Sequence, residues 1–310
     1  MFRLYWHKSN LRLSSSAQNP FSGSDKSLDY RLPKRLLTQT FQAAELPFAE
    51  EEAMDLILGL CGLSPTDYVL RGTDTLTREQ IETLREATKR RLSGDPVDRI
   101  LGWRDFYGRP FSIQNVLSPR GDTEVLLLSA LDAVSTIESP RLLDLGTGSG
   151  ALAITLLCER EDATAIATDI DDAAISTARD NAKNLTVSHR LTLLQSNWFE
   201  AIPTQSFHAI VSNPPYITSR AMSDLEPEVA NHDPSLALHG GENGLDPYRQ
   251  LIPRARDYLT PNGWLGVEIG FDQGDAVRAL FESNGYSDIE LLLDPAGHDR
   301  VVTGRMSLKS

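Results

Sequence analysis

The run Asp144-Leu145-Gly146-Thr147-Gly148-Ser149-Gly150 constrains this chain more than any other feature, because it joins a strand-like segment, 141–145, to a helix-like one, 151–159. Three glycines at alternate positions suit a strand that turns sharply into a helix. They also let the backbone pass close to a ligand, while the free N–H groups of the helix start favour its polar end. The rhythm then continues with strand-like 164–168, helix-like 173–183, and strand-like 191–194 and 208–211. Such alternation predicts an α/β fold, a parallel sheet covered by helices on both faces. A last pair of strand-like segments, 289–293 and 300–303 around Pro295-Ala296-Gly297, reads as antiparallel closure.

Each strand end of this sheet carries chemistry. The glycine loop has G-x-G-x-G spacing rather than the dinucleotide G-x-G-x-x-G, and Asp144 precedes it. Asp169 follows Gly150 by 19 residues at the end of the second strand, where a carboxylate accepts from two ribose hydroxyls. Asn197-Trp198-Phe199 ends the third strand. There Asn197 can edge an adenine ring and Trp198 can cover it, while Phe199 reads as core. Asn213-Pro214-Pro215-Tyr216 ends the fourth. The prolines fix the direction of the Asn213 and Pro214 carbonyls, the Asn213 side chain adds one acceptor and two donors, and Tyr216 adds a π face. The combination suits a planar NH2 group, although Asn-Pro and Pro-Pro also mark ordinary turns. Ligands of open α/β sheets bind beyond the carboxyl ends of the strands, so all four ends point at one crevice.

Upstream, 36–100 reads as helical. Residues 47–60 open on Pro47 and place Glu50, Glu51 and Glu52 at the positive helix end. Thr77-Arg78-Glu79-Gln80 is a capping box, and Gly94 stops the helix that follows. Residues 101–118 hold Phe106-Tyr107-Gly108, the mark of a hairpin between domains. The expected division is a disordered leader over 1–35, a helical docking domain over 36–100, a hairpin linker over 101–118 and a catalytic domain over 119–310.

A net charge of −13 disfavours a nonspecific nucleic-acid binder, because such a surface repels phosphate. Cys61 and Cys158 fit neither a disulfide framework nor a metal knuckle, and no apolar run is long enough to span a membrane. These features predict a soluble cytoplasmic protein without a metal. Residues 1–24 contain no acid and carry a serine run, a composition shared by organelle transit segments, with a mitochondrial location as the alternative, and by disordered leaders.

With those motifs in place, the chain resembles a class I S-adenosylmethionine-dependent methyltransferase, and within that group the HemK/PrmC family of protein-(glutamine-N5) methyltransferases. The likeness rests on Phe106-Tyr107-Gly108, Pro119-Arg120 with Asp122-Thr123-Glu124, Asp144 to Gly150, and Asn213 to Tyr216. It extends through Asp233-Pro234, Gly240-Gly241, Asn243 to Asp246, Glu268-Ile269-Gly270 and Asp299-Arg300-Val301, and covers about residues 40 to 306. The resemblance implies a Rossmann-like, seven-stranded, mostly parallel sheet with a closing antiparallel strand, plus a small N-terminal helical bundle. It implies S-adenosylmethionine bound by Gly146, Thr147, Gly148, Ser149, Gly150, Asp169, Asn197, Trp198 and Asn213. It implies catalysis by Asn213, Pro214 and Tyr216, and a substrate held by those three with Pro215, Arg120 and Glu124. The acceptor it implies is the glutamine of the Gly-Gly-Gln loop of peptide-chain release factors, met by a monomer without direct nucleic-acid contact.

Three positions depart from the family pattern. Ser118 and Gly121 flank Pro119-Arg120 where an apolar residue and a proline are usual, and Asn197 stands where aspartate is common. An exocyclic-amine methyltransferase acting on adenine N6 or guanine N2 is the alternative, since such bases pose the same NH2-holding problem. The acidic balance and the lack of a basic base-flipping domain count against it.

Overall fold

The computed structural model describes residues 29–307, apart from 226–228 and 230–232. The chain divides into two compact units, with the boundary between Leu101 and Gly102.

The first unit is helical, with Arg31–Ala43, Ala49–Cys61, Pro65–Arg71, Arg78–Leu92 and Val97–Leu101 in succession. The expected box at Thr77 is formed: Gln80 N–H donates to Thr77 Oγ1 at 3.1 Å and Thr77 N–H to Gln80 Oε1 at 2.9 Å. A second box, Ser64 with Asp67, starts the short helix and was not anticipated. Pro47 falls outside the helix it was expected to open, because Phe48 adopts φ 54° and the helix begins at Ala49. Leu37, Phe41, Leu56, Ile57 and Leu84 form a fully buried core. Beside it Arg91 forks onto both oxygens of Glu52 at 2.7 and 3.0 Å.

The leader boundary at residue 35 needs correction. Asp29 Oδ1 accepts from the N–H groups of Arg31 and Leu32, so the first helix starts at Arg31, and Pro33 and Leu37 are buried along it. The remainder of the expected leader, 1–28, lies outside the described residues.

The second unit opens on a hairpin, β1 (Trp103–Phe106) and β2 (Arg109–Ser112), turned by Tyr107 at φ 49° and Gly108 at φ 70°. Two successive positive φ values give the turn whose twist matches the strands. The hairpin is built into this unit rather than standing as a linker. Phe106 and Phe111 are buried in its core, and Asn181 bonds both the N–H and the carbonyl of Ser112, at 2.9 and 3.0 Å.

The main sheet holds β3 (Arg141–Leu145), β4 (Thr164–Asp169), β5 (Leu191–Gln195), β6 (Phe207–Ser212), β7 (Leu259–Glu268), β8 (Tyr286–Leu293) and β9 (Asp299–Met306). Their order is β5-β4-β3-β6-β7-β9-β8, and only β9 runs against its neighbours. The seven-stranded, mostly parallel sheet is therefore present. β3 and β4 step one way while β6 and β7 step the other, which puts a topological switch point at the ends of β3 and β6. One core face gathers Leu126, Leu127, Ile154 and Leu157, the other Ile210, Leu251, Leu265 and Phe281.

Candidate active site

At the end of β3 the chain turns because Gly146, Gly148 and Gly150 all take positive φ, at 73°, 54° and 82°. The turn is pinned from the neighbouring strand: the N–H groups of Gly146 and Thr147 donate to the Thr168 carbonyl, each at 2.9 Å. Gly148 N–H donates to Asp169 Oδ2 at 2.9 Å, and Asp171 N–H to Asp169 Oδ1 at 3.0 Å. Burial raises the Asp169 pKa against these two bonds. Asp144 is more enclosed. Its Oδ2 accepts from Thr147 Oγ1 at 2.6 Å and Ala153 N–H at 3.2 Å, while its buried Oδ1 has no partner. Burial pushes this carboxyl from 3.8 up to about 7. A desolvated carboxylate oxygen without a donor is costly, and a cationic ligand group would offset that cost.

The end of β5 delivers Trp198, held at φ 51°, with its ring 3.5 Å from where a Cβ on Gly146 would stand. A Cβ at position 146 would stand in ordinary contact with that ring, and the positive φ there, 73°, is what disfavours a side chain. Asn197 is exposed and donates from Nδ2 to Glu200 Oε1 at 3.0 Å. Phe199 is core, as expected, and stacks on Tyr258 with centroids 4.8 Å apart.

At the end of β6, Asn213 Nδ2 donates to Thr123 Oγ1 at 3.3 Å, and Thr123 Oγ1 donates to Glu268 Oε2 at 2.7 Å. Glu268, the last residue of β7, is 1% exposed, and burial pushes its carboxyl up to about 7. The Asn-Pro-Pro-Tyr segment is also clamped from below. Gln273 Nε2 donates to the carbonyls of Tyr216 and Gly244, and its Oε1 accepts from Gly270 N–H and Tyr248 Oη. Gly240 lies against the segment so closely that a Cβ there would stand 2.6 Å from the Pro215 carbonyl oxygen. Burial raises the Tyr216 phenol, with Glu268 pushing the same way and Arg120 and Arg300 opposing.

These elements enclose a cavity of about 580 Å³, within the range of sites for ligands of nucleotide size. Gly146, Thr147, Gly148, Ser149, Asp169, Asn197, Trp198, Asn213 and Pro215 line it. Gly150, Pro214, Tyr216, Arg120 and Glu124 do not. Gly150 is a packing glycine, since a Cβ there would meet Ile154 Cδ1 at 2.6 Å. Arg120 is half exposed and sits 3.8 Å from Asp233. The wall not anticipated as ligand contacts includes 115–119, the segment Ile170-Asp171, the loop with Leu236 and His239, and Asp246, Pro247 and Gln250. The loop with Leu236 and His239 was flagged through Asp233-Pro234, Ala237-Leu238 and Gly240-Gly241, whose glycines signal close backbone approach.

Residues 35–102 match the family model of the PrmC N-terminal domain, and 121–232 that of the Methyltransferase small domain. Over 269 residues the chain is 44% identical to the Release factor glutamine methyltransferase of Agrobacterium fabrum, covering 85% of this chain and 93% of that one. The chain belongs to the release factor glutamine methyltransferase family. The family member of Caulobacter vibrioides is 40% identical over 244 residues, covering 78% of this chain and 84% of that one. Among solved structures, the hMettl16 catalytic domain in complex with MAT2A 3′UTR hairpin 1 superposes with a TM-score of 0.56 at 14% identity, over 83% of this chain and 92% of that one. That likeness is one of fold.

Proposed function

We propose that this chain transfers a methyl group from S-adenosylmethionine to the side-chain amide nitrogen of the Gly-Gly-Gln glutamine in peptide-chain release factors. The observation that carries the proposal is the tether on Asn213. Its amide NH2 is turned to Thr123 and gives it one N–H, which directs its oxygen the other way, to accept from a substrate NH2.

The cavity suits the cofactor. The unpartnered Asp144 Oδ1 meets the need of an ammonium group, Asp169 that of a pair of ribose hydroxyls, and the Trp198 ring that of a planar base. When bound, S-adenosylmethionine supplies a methyl group made electrophilic by its sulfonium. An amide nitrogen is a poor nucleophile because its lone pair is delocalised into the carbonyl. If Asn213 Oδ1 and the Pro214 carbonyl each accept one N–H, electron density returns to the nitrogen and the NH2 plane is fixed. Holding that geometry supplies most of the rate, and the Gln273 clamp keeps the segment from relaxing. The helical unit, a match to the PrmC N-terminal domain, is the proposed docking platform for the factor.

Labelled S-adenosylmethionine offered with intact release factor, its glutamine-substituted form, DNA and RNA tests the reading. Label is expected on the intact factor alone, and Asn213→Ala should keep cofactor binding largely intact while turnover falls ~10²-fold or more. Wild-type turnover in that variant, or label on nucleic acid in place of the factor, would refute it.

A further inference from the structure

The proposed function leaves open what decides which way the Asn213 carboxamide faces. An amide rotated by half a turn would present NH2 to the glutamine NH2, and two donors cannot pair.

Three side chains from distant parts of the chain answer this. The Thr123 hydroxyl has one proton, and at 2.7 Å it goes to the buried Glu268 carboxylate, which can only accept while ionised. The hydroxyl therefore faces Asn213 with a lone pair, and Asn213 must turn its Nδ2 toward it, at 3.3 Å. Protonating Glu268 reverses the chain: the carboxyl donates to Thr123, and the freed hydroxyl proton seeks the Asn213 oxygen. Thr123 and Asn213 both line the cavity, so the choice is felt where the substrate sits.

We propose that Thr123 and Glu268 are positioning residues for methyl transfer, a relay in which the buried carboxylate orients the threonine hydroxyl and the hydroxyl locks the Asn213 oxygen toward the substrate amide. The inference rests on the function proposed above.

The relay has a pH signature. Burial, and Asp122 behind it, push the Glu268 carboxyl up to about 7, while the Thr123 hydrogen bond, Arg300 and Arg120 pull it down; Tyr216 and Tyr248 are the other ionisable groups facing it. Above that pH the carboxylate orients the relay, and below it the orientation is lost. At saturating cofactor and factor, kcat should fall as pH drops through ~7.

The test uses the full chain with labelled cofactor and intact release factor. Thr123→Val should lower kcat ~10-fold or more, with cofactor affinity and the KM for the factor nearly unchanged, and Thr123→Ser should restore most of it. Glu268→Gln should be slow and should lose the acid limb of the kcat profile. Wild-type kcat in Thr123→Val, equal damage from Thr123→Ser, or an intact acid limb in Glu268→Gln each overturns the relay. A wild-type chain that labels no release factor refutes the activity instead. The relay is then read from the ¹⁵N side-chain amide signal of Asn213, assigned by its loss in Asn213→Ala. That signal should titrate near neutral pH in the wild type and stay still in Thr123→Val; a signal that titrates alike in both overturns the relay.

Discussion

Replacing Asp144 with asparagine should move stability and cofactor affinity in opposite directions. The carboxyl is 2% exposed, its Oδ2 is satisfied by Thr147 and Ala153, and its Oδ1 is bare. Burial lifts its pKa from 3.8 to about 7. A group whose folded pKa lies above its unfolded value favours the fold at low pH, and that contribution is lost as pH rises through the folded pKa. At pH ~8 the ionised form therefore opposes folding by about 4 kcal/mol, from roughly three pH units at ~1.4 kcal/mol each. Asparagine removes the charge but leaves an unpaired NH2 in place of Oδ1, which returns ~1–3 kcal/mol of that gain. The net of about 1–3 kcal/mol raises the melting temperature of the cofactor-free chain by ~2–8 °C. Binding should suffer instead. Losing a charge-assisted bond of ~1.5–3 kcal/mol weakens S-adenosylmethionine about 10- to 150-fold. In the wild type, binding should expel a proton near pH ~6.5, visible by calorimetry in buffers of different ionisation enthalpy. Scanning calorimetry and titration at pH ~8 decide the matter. A variant that binds cofactor within about threefold of wild type, or that melts lower without it, refutes the reasoning.

Two further outcomes follow from packing. Gly240→Ala would drive a methyl into the Pro215 carbonyl oxygen and the Tyr216 Cα, backbone atoms with nowhere to go, and turnover should drop ~10-fold or more through misplacement of Asn213; an unchanged kcat would count against the close approach. Arg91→Ala strands the Glu52 carboxylate in the helical unit and should cost ~3–5 kcal/mol in urea unfolding, and a loss below ~1 kcal/mol would show that the pair is solvated.

What could be read from the sequence was what local stereochemistry dictates. Gly146 and Gly148 adopt backbone conformations that favour glycine, Asp169 ends its strand where the second βα unit demands, and the prolines after Asn213 fix an extended exit from β6. What escaped was long-range or disguised. Thr123 and Glu268 stand 145 residues apart, and nothing in either neighbourhood announces the other. Gln273 reaches back 57 residues to the Tyr216 carbonyl. β7 went unread because Pro261-Asn262-Gly263 looks like a turn; the structure absorbs it as an irregularity in pairing with β6, with Asn262 at φ 62°. Gly150 was misjudged in emphasis, since its neighbour is Ile154 rather than the cavity.

β9 comes after β8 in the chain yet lies between β7 and β8 in the sheet. Glu268 is registered against Val301, and the Ile269 N–H is held by the Arg300 carbonyl at 2.8 Å. Until β9 docks, Glu268 has no strand partner on that side of β7. β8 and β9 pair as an antiparallel hairpin, so the two can add together to the free edge of β7, with β9 on the inner side. The machinery that would orient Asn213 is therefore complete only when β9 has paired with β7, which makes a strand far from the cavity in sequence part of the support of Glu268.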